Sequence, residues 1–130
     1  MRFTRALFQA SQKVTTGIVG YPVNNSARPE LIQLYKTTLD ELKAKLPEKA
    51  VYRQSVEALT TRRLRIAEEN EDIAKIEEFV DAGQIEELIS QAQDEIKLIS
   101  KMAEWKAWET LEEQIPPRQW EYFKKAPSTE

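Results

Sequence analysis

Residues 84–109, QIEELISQAQDEIKLISKMAEWKAWE, carry the pattern that decides the fold. At about 100° per residue, one set of apolar side chains in this stretch falls within about 100° of arc on a helical wheel. The set consists of Ile85, Leu88, Ile89, Ala92, Ile96, Ile99 and Ala103. A stripe of this width is typical of a helix that buries one face in a bundle, and the helix would be roughly 39 Å long if unbroken.

Three shorter helices are predicted upstream. The first, ELIQLYKTTLDELKAKL at residues 30–46, is expected to end before Pro47, because the residue preceding a proline is pushed out of the α region. Its core-facing residues are Leu31, Tyr35, Leu39, Leu42 and Leu46. The second, at residues 48–69, presents Tyr52, Val56, Leu59 and Ile66 on one side. The third presents Ile73, Ile76 and Val80, with Gly83 as its expected C-cap.

The predicted fold class is therefore all-α, a small bundle of three to four helices with a long last helix. An extended N-terminal strap precedes the bundle and an irregular C-terminal tail follows it. We place the boundaries at residues 1–28 for a basic and then apolar extended segment, 29–110 for the bundle, and 111–130 for a tail that contains proline and tryptophan.

The composition excludes most familiar catalytic sites. The 130 residues include no cysteine and no histidine, which removes thiolate nucleophiles, disulfides, the usual zinc sites and Ser-His-Asp triads. Paired carboxylates such as Glu86-Glu87 could act as acid and base, but solvated helix faces explain them better. No apolar run approaches the roughly 20 residues that a membrane-spanning helix needs. The sequence predicts no catalytic residue, no metal site, no cofactor and no small-molecule substrate.

Charge is unevenly distributed along the chain. Residues 1–29 contain four basic residues and no acidic one, whereas the rest holds all 22 acidic side chains. The basic start, with its interspersed apolar residues, has the composition of a mitochondrial import signal or of a short solvated arm. The basic run RRLR, at residues 62–65, is interpreted as cations at the negative end of the second helix. We therefore predict no nucleic-acid partner.

The strap, which we define as TTGIVGYPV at residues 15–23, is uncharged and apolar. It lacks the Gly-Lys-Ser/Thr of a phosphate-binding loop, and in lipid its extended backbone would be unpaired. The remaining hypothesis is that the strap binds a partner protein. Ordering the backbone opposes the gain from burying its side chains, so we expect the strap to be ordered only against a partner. Gly17 and Gly20 are expected to allow close backbone approach.

The last predicted helix is apolar on a second face. Leu98, Trp105 and Trp108 lie about 140–220° from Ile85, on the side that a simple bundle leaves in water. Two different segments could cover this second apolar face. One is the chain's own tail, in which Pro116-Pro117 forbids helix and Trp120 could fold back. The other is a partner protein, since tryptophan is frequent at interface anchors.

Several motifs taken together resemble a known family. In chain order they are TTGIVG at 15–20, LY at 34–35, AVYR at 50–53, GQIEELISQA at 83–92, KMAEWKAWE at 101–109 and PPRQW at 116–120. In this order and spacing, over about residues 14–120, the sequence resembles the alpha subcomplex subunit 5 family. These are small accessory subunits of mitochondrial NADH:ubiquinone oxidoreductase, respiratory complex I. Residues 1–13 and 121–130 depart from the family pattern.

This resemblance implies a supernumerary, non-catalytic subunit that supports assembly and stability of the hydrophilic arm, peripheral to the mitochondrial inner membrane on its matrix side. Its implied partners are core and accessory subunits of that arm, notably the 30 kDa iron–sulfur-fraction subunit. The alternative is a free-standing helical adaptor or chaperone that binds client proteins. By position, the family motifs imply partner-binding roles for Thr15, Thr16, Gly17, Ile18, Val19, Gly20, Trp105, Trp108 and Trp120.

Overall fold

A computed structural model of the chain describes residues 13–117, 119–120 and 122. Its four helices are α1 (Ala27–Lys45), α2 (Val51–Glu69), α3 (Ile73–Val80) and α4 (Ile85–Trp105). The residues it describes contain no β-strand. The predicted all-α bundle with a long last helix is thereby confirmed. The basic start up to residue 12 and most of the tail beyond residue 120 lie outside the described residues.

The core runs along the contact between α1 and α4, and α2 also packs on α1. The predicted stripes of α1 and α4 form it: Leu31, Leu42, Ile85, Leu88 and Ile99 are completely buried. One cluster joins the first turns of α1 to the first turns of α4, and a second joins Leu42 and Leu46 to Val56 and Ile99. The helical period of the two stripes therefore sets the packing of the bundle.

The face predicted for α2 is only partly right. Val56 is buried, but Leu59 is 47% exposed, and the other buried positions of this helix are Thr60 and Ala67. The helix also begins at Val51 rather than at residue 48, because Pro47 is followed by a turn in which the Ala50 amide donates to the Pro47 carbonyl at 3.1 Å. The side of α2 that carries Leu59 thus lies outside the core.

The junction between α3 and α4 corrects the predicted C-cap. Asp81, at φ 50°, is the left-handed residue that ends α3, and Gly83 instead lies just before α4 at φ 100°. The Glu87 side chain reaches back to accept from the Gln84 backbone amide at 2.8 Å, completing a capping box. A Cβ on Gly83 would lie 2.6 Å from the same Glu87 carboxylate. Gly83 therefore leaves room for the cap of α4.

The arginine that caps α2 comes from α1. The Arg28 Nε donates to the carbonyls of Ala67 at 3.0 Å and Asn70 at 2.8 Å, and its Nη2 donates to the Glu68 carbonyl at 3.2 Å. The role predicted for residues 62–65 is therefore wrong: Arg65 forms only an exposed pair with Glu69 at 3.9 Å. A positive charge at the last carbonyls of a helix satisfies them and complements the helix dipole.

We expect Arg28→Met to lower the free energy of unfolding by about 2 kcal/mol, because the terminal carbonyls of α2 lose charge-assisted donors. Urea denaturation followed by circular dichroism would measure the change. The matched control is Arg65→Met, which removes only a solvated ion pair and should change stability by less than about 0.5 kcal/mol. Equal effects of the two substitutions would contradict the capping role.

A hydrogen bond between side chains far apart in the sequence joins α2 to α4. The Tyr52 hydroxyl donates to the Glu95 carboxylate in a short hydrogen bond. Burial, and after it this hydrogen bond, raises the pKa of Tyr52 far above its usual value. The neutral phenol is therefore the form that the folded bundle favours.

Tyr52→Phe should lower the free energy of unfolding by about 1 kcal/mol at neutral pH. Above pH ~10 the unfolded tyrosine ionises while the folded one stays protonated, so the wild-type chain loses stability that the phenylalanine variant keeps. The difference between the two proteins should narrow as pH rises past about 10. Urea denaturation of both proteins at pH 7, 9 and 10.5 tests this, and a difference that grows with pH would contradict it.

Candidate partner-binding surfaces

The strap is anchored to the bundle through its polar atoms. Thr16, the one buried residue of the strap, donates from Oγ1 to the Tyr21 carbonyl at 2.5 Å and accepts from the Ile18 amide at 3.2 Å. The Gln84 side chain, at the N-terminal end of α4, donates to the Thr16 carbonyl at 2.7 Å. These bonds fold the strap into a turn against α4. The expectation that the strap is ordered only against a partner is therefore wrong.

The two strap glycines serve this turn. Gly17 has φ 72° and Gly20 has φ 89°, backbone conformations that are strained for residues with a Cβ. A Cβ built on either one would meet nothing within 4 Å. The close backbone approach predicted for these positions is not observed in the chain itself. The pair of glycines instead marks a turn whose backbone has positive φ at these two positions.

Lys13 fixes the base of the strap between α3 and α4. Its Nζ lies 2.5 Å from Glu77 Oε1, 3.3 Å from Gln84 Oε1 and 3.4 Å from Glu86 Oε2. The Glu86 carboxylate is 5% exposed and also accepts from the Asn24 amide at 3.4 Å. A carboxylate buried to this degree requires a counter-charge, and Lys13 supplies it.

The protonation state of Lys13 follows from these contacts. Burial lowers the pKa of Lys13, but the hydrogen bond and charge of Glu77, together with Glu86, outweigh it, so the net pKa lies above the usual 10.5. The ammonium form is therefore the one that the fold favours. Its contribution to stability is complete below the usual pKa and is lost only as pH rises through the higher folded value.

The apolar side chains of the strap face away from the bundle. Val19 is 99% exposed, Ile18 is at the border of exposure, and Val14, just before the strap, is also exposed. Tyr21 is half-buried, with its hydroxyl 3.4 Å from Ser90 Oγ. The strap thus satisfies its polar atoms inside the chain and presents its apolar ones outside. We call Val14, Ile18 and Val19 the strap surface.

The predicted tryptophans separate into two environments. Trp108 is half-buried against the second core cluster, whereas Trp105 is 64% exposed and Trp120 is 73% exposed. The helix ends four residues earlier than predicted, at Trp105, because Lys106 adopts a left-handed conformation at φ 50°. Trp108 is therefore not part of α4. Its position on the core is reached through a turn.

The described part of the tail does not cover Trp105. Its large apolar residues are themselves exposed, namely Leu111, Ile115, Trp120 and Tyr122. The sequence left two alternatives for covering this face, the tail and a partner protein. Among the described residues, the tail does not cover it. Together with Trp105, these residues form what we call the tail surface. The strap and Trp105 lie at opposite ends of the 21-residue α4, roughly 30 Å apart.

Within the described ranges, no group of three or more His, Cys, Asp or Glu side chains is placed to hold a metal ion. Over the same ranges, none of the helices combines the length and apolarity needed to cross a membrane. What the arrangement offers is contact area, with apolar side chains held outward by a folded backbone.

Sequence reasoning missed the residues that position the strap. Lys13 was read as part of the basic start and Glu86 as one of a pair of solvated carboxylates. They are separated by 73 positions, and no local pattern relates them. The available signals were a lone lysine beside an uncharged strap and an acid at the predicted start of a helix.

Comparison with known proteins gives the family of the chain. The sequence model of the family described as "ETC complex I subunit conserved region" matches residues 20–87, just over half of the chain. That span begins within the strap and ends in the first turn of α4. At the level of protein class, the chain is thus matched to subunits of respiratory complex I.

Individual relatives narrow this assignment. NADH dehydrogenase (ubiquinone) 1 alpha subcomplex subunit MCI4 of Candida albicans is 42% identical over 125 residues, covering 96% of this chain and 90% of that protein. Subunit 5 of the same subcomplex from Bos taurus is 41% identical over 110 residues, 85% of this chain and 94% of that protein. The probable subunit 5 of Arabidopsis thaliana is 50% identical over 99 residues, 76% of this chain but only 58% of that protein. The chain belongs to the complex I alpha subcomplex subunit 5 family, as its motifs predicted.

Lys13→Met should release the strap without unfolding the bundle, because the charge-assisted bonds to Glu77 and Glu86 are lost. We expect amide hydrogen exchange in residues 14–23 to accelerate at least tenfold, while the far-ultraviolet circular dichroism stays unchanged. Lys75→Met, which removes an exposed lysine of α3, is the matched control and should leave exchange in the strap unchanged. Unaltered exchange in the Lys13 variant would contradict the anchoring role.

Proposed function

We propose that this chain is a non-catalytic accessory subunit of mitochondrial complex I that supports assembly and stability of the hydrophilic arm. It acts peripherally on the matrix side of the inner membrane and contributes to electron transfer from NADH to ubiquinone only by holding subunits together. One observation carries the proposal: the strap spends its polar atoms on its own bundle and leaves Ile18 and Val19 pointing outward. Family membership identifies the assembly to which these surfaces belong.

The two surfaces suit permanent association. Fully burying an exposed valine, isoleucine or leucine is worth on the order of 1.5–3 kcal/mol. Since the strap is already folded against its own bundle, less of this gain is lost to ordering when a partner arrives. At the other end of α4, Trp105 and Trp120 add large aromatic anchors of the kind that dominate binding energies.

The partners we propose are core and accessory subunits of the hydrophilic arm, notably the 30 kDa iron–sulfur-fraction subunit. Among the predicted binding residues, Thr15, Gly17, Ile18, Val19 and Gly20 are exposed and available for contact, while Thr16 positions them from inside. In the same way, Trp105 and Trp120 are available and Trp108 supports them from the core.

The residue composition supports a non-catalytic role within this oxidoreductase. Iron–sulfur clusters are held by cysteine thiolates, and the sequence contains no cysteine. The alternative of a free-standing adaptor or chaperone is not favoured, because the relatives named above are all subunits of one enzyme complex.

The proposal is tested directly on native gels of solubilised mitochondria. The tagged full-length chain should migrate with NADH dehydrogenase activity and remain there after a high-salt wash. Its recovery only as a free species of about 15.1 kDa would contradict the proposal.

A finer prediction concerns the strap surface. The double variant Ile18→Ser/Val19→Ser should keep the bundle folded, since Val19 is 99% exposed, Ile18 is 36% exposed and neither belongs to a core cluster, but its incorporation into the complex should fall at least tenfold. Residues 1–13 stay intact, so import and the Lys13 contacts are preserved. Val51→Ser, an exposed valine at the start of α2, is the control and should be incorporated normally. Normal incorporation of the double variant would show that the strap surface is dispensable.

A further inference from the structure

An open groove lies between α2 and α4, with α1 as its floor. Its volume is about 380 Å³. The α2 wall includes Leu59 and Arg63, and the α4 wall includes Asp94, Glu95 and Leu98. Leu59 is 47% exposed and Leu98 is 38% exposed, so the groove has an apolar lip on each side.

The groove lies in the furrow between two helices that both pack on a third. The three long helices have 19, 19 and 21 residues, and both α2 and α4 pack mainly on α1. Three helices arranged in this way leave a furrow between the outer two, and a fourth helix in that furrow completes a four-helix bundle. The apolar lips occupy the positions at which such a helix would make its first contacts.

The floor of the groove holds the Tyr35 side chain. Tyr35 is 3% exposed and lies beside Arg63 of the α2 wall. Burial raises the pKa of this tyrosine, and the adjacent Arg63 guanidinium acts in the opposite direction. The floor is thus closed, and the groove offers its two walls for contact.

The two walls of the groove carry opposite charges. Arg63 on α2 spans toward α4, donating weakly to Gln91 Oε1 at 3.3 Å, while Asp94 and Glu95 lie along the other wall. A segment with acidic side chains on one edge and basic side chains on the other would match both walls in one orientation. The reversed orientation would bring like charges together.

The α4 wall continues toward the tail surface. Leu98 and Trp105 are seven residues apart on α4, which places them on one face about 10 Å apart along the axis. An occupant of the groove that follows α4 for two turns would therefore also contact Trp105. This accounts for the second apolar face in the last two turns of α4.

We propose that the groove between α2 and α4 receives an amphipathic helix from another subunit of the complex, with an apolar stripe between Leu59 and Leu98. The acidic edge of that helix faces Arg63, and its basic edge faces Asp94. This inference rests on the proposed function, since it takes the occupant from the same assembly. The mode is that of a helix bound in a groove.

Photo-cross-linking in the assembled complex tests the occupant. p-Benzoylphenylalanine is placed singly at position 59 or 98 of the full-length chain, with the exposed position 58 of α2 as the control. Both groove positions should cross-link, at least fivefold above the control, to one helical segment of one other subunit. That segment should have the charged edges described above. Cross-links to the chain's own tail, to unrelated segments or to nothing would overturn the inference while leaving the accessory role intact.

Charge reversal provides an independent test with a matched control. Arg63→Glu should lower retention of the subunit in the salt-washed complex at least fivefold, whereas Arg62→Glu, an adjacent exposed arginine outside the groove lining, should not. Circular dichroism of each purified variant checks that the bundle is folded. Equal retention of the two variants would overturn the inference. Absence of the unmodified chain from the complex would contradict the proposed function itself.

Discussion

Burial of the α4 stripe against α1 is the constraint from which the other features follow. It places five completely buried aliphatic side chains along one contact, so α4 has a fixed rotation about its axis. Once that rotation is set, Gln84 and Glu86 must face the strap and Leu98 must face α2. The strap anchor, the groove and the exposed Trp105 all lie on the sides of α4 that are not buried in the core.

The sequence predicted what depends on local period and failed where distant residues meet. The stripes of α1 and α4 repeat at the helical period, so their buried faces could be read directly. Arg28, by contrast, caps a helix end about 40 residues away, and Lys13 pairs with a carboxylate 73 positions later. Composition and the family motifs predicted the strap and the tryptophans as candidate binding residues. They did not predict that the polar atoms of the strap face inward and its apolar side chains outward, because this arrangement depends on the turn at Gly17 and Gly20.

That division also explains how a small acidic domain can expose apolar side chains in the strap while the polar atoms beside them stay satisfied. The hydrogen bonds of Thr16 and Lys13 stay within the chain, so loss of a partner leaves no strap polar atom of this set unsatisfied. Association at the strap surface would therefore add apolar contacts without breaking these bonds.

The left-handed residue Lys106 has one more consequence. On a continuing helix, Trp105 and Trp108 would lie about 60° apart and share one environment. The turn at Lys106 sends Trp108 onto the core and leaves Trp105 in water. We therefore expect two kinds of intrinsic fluorophore in the chain: the half-buried Trp108 should report folding, whereas the exposed Trp105 and Trp120 should respond to any partner that covers them.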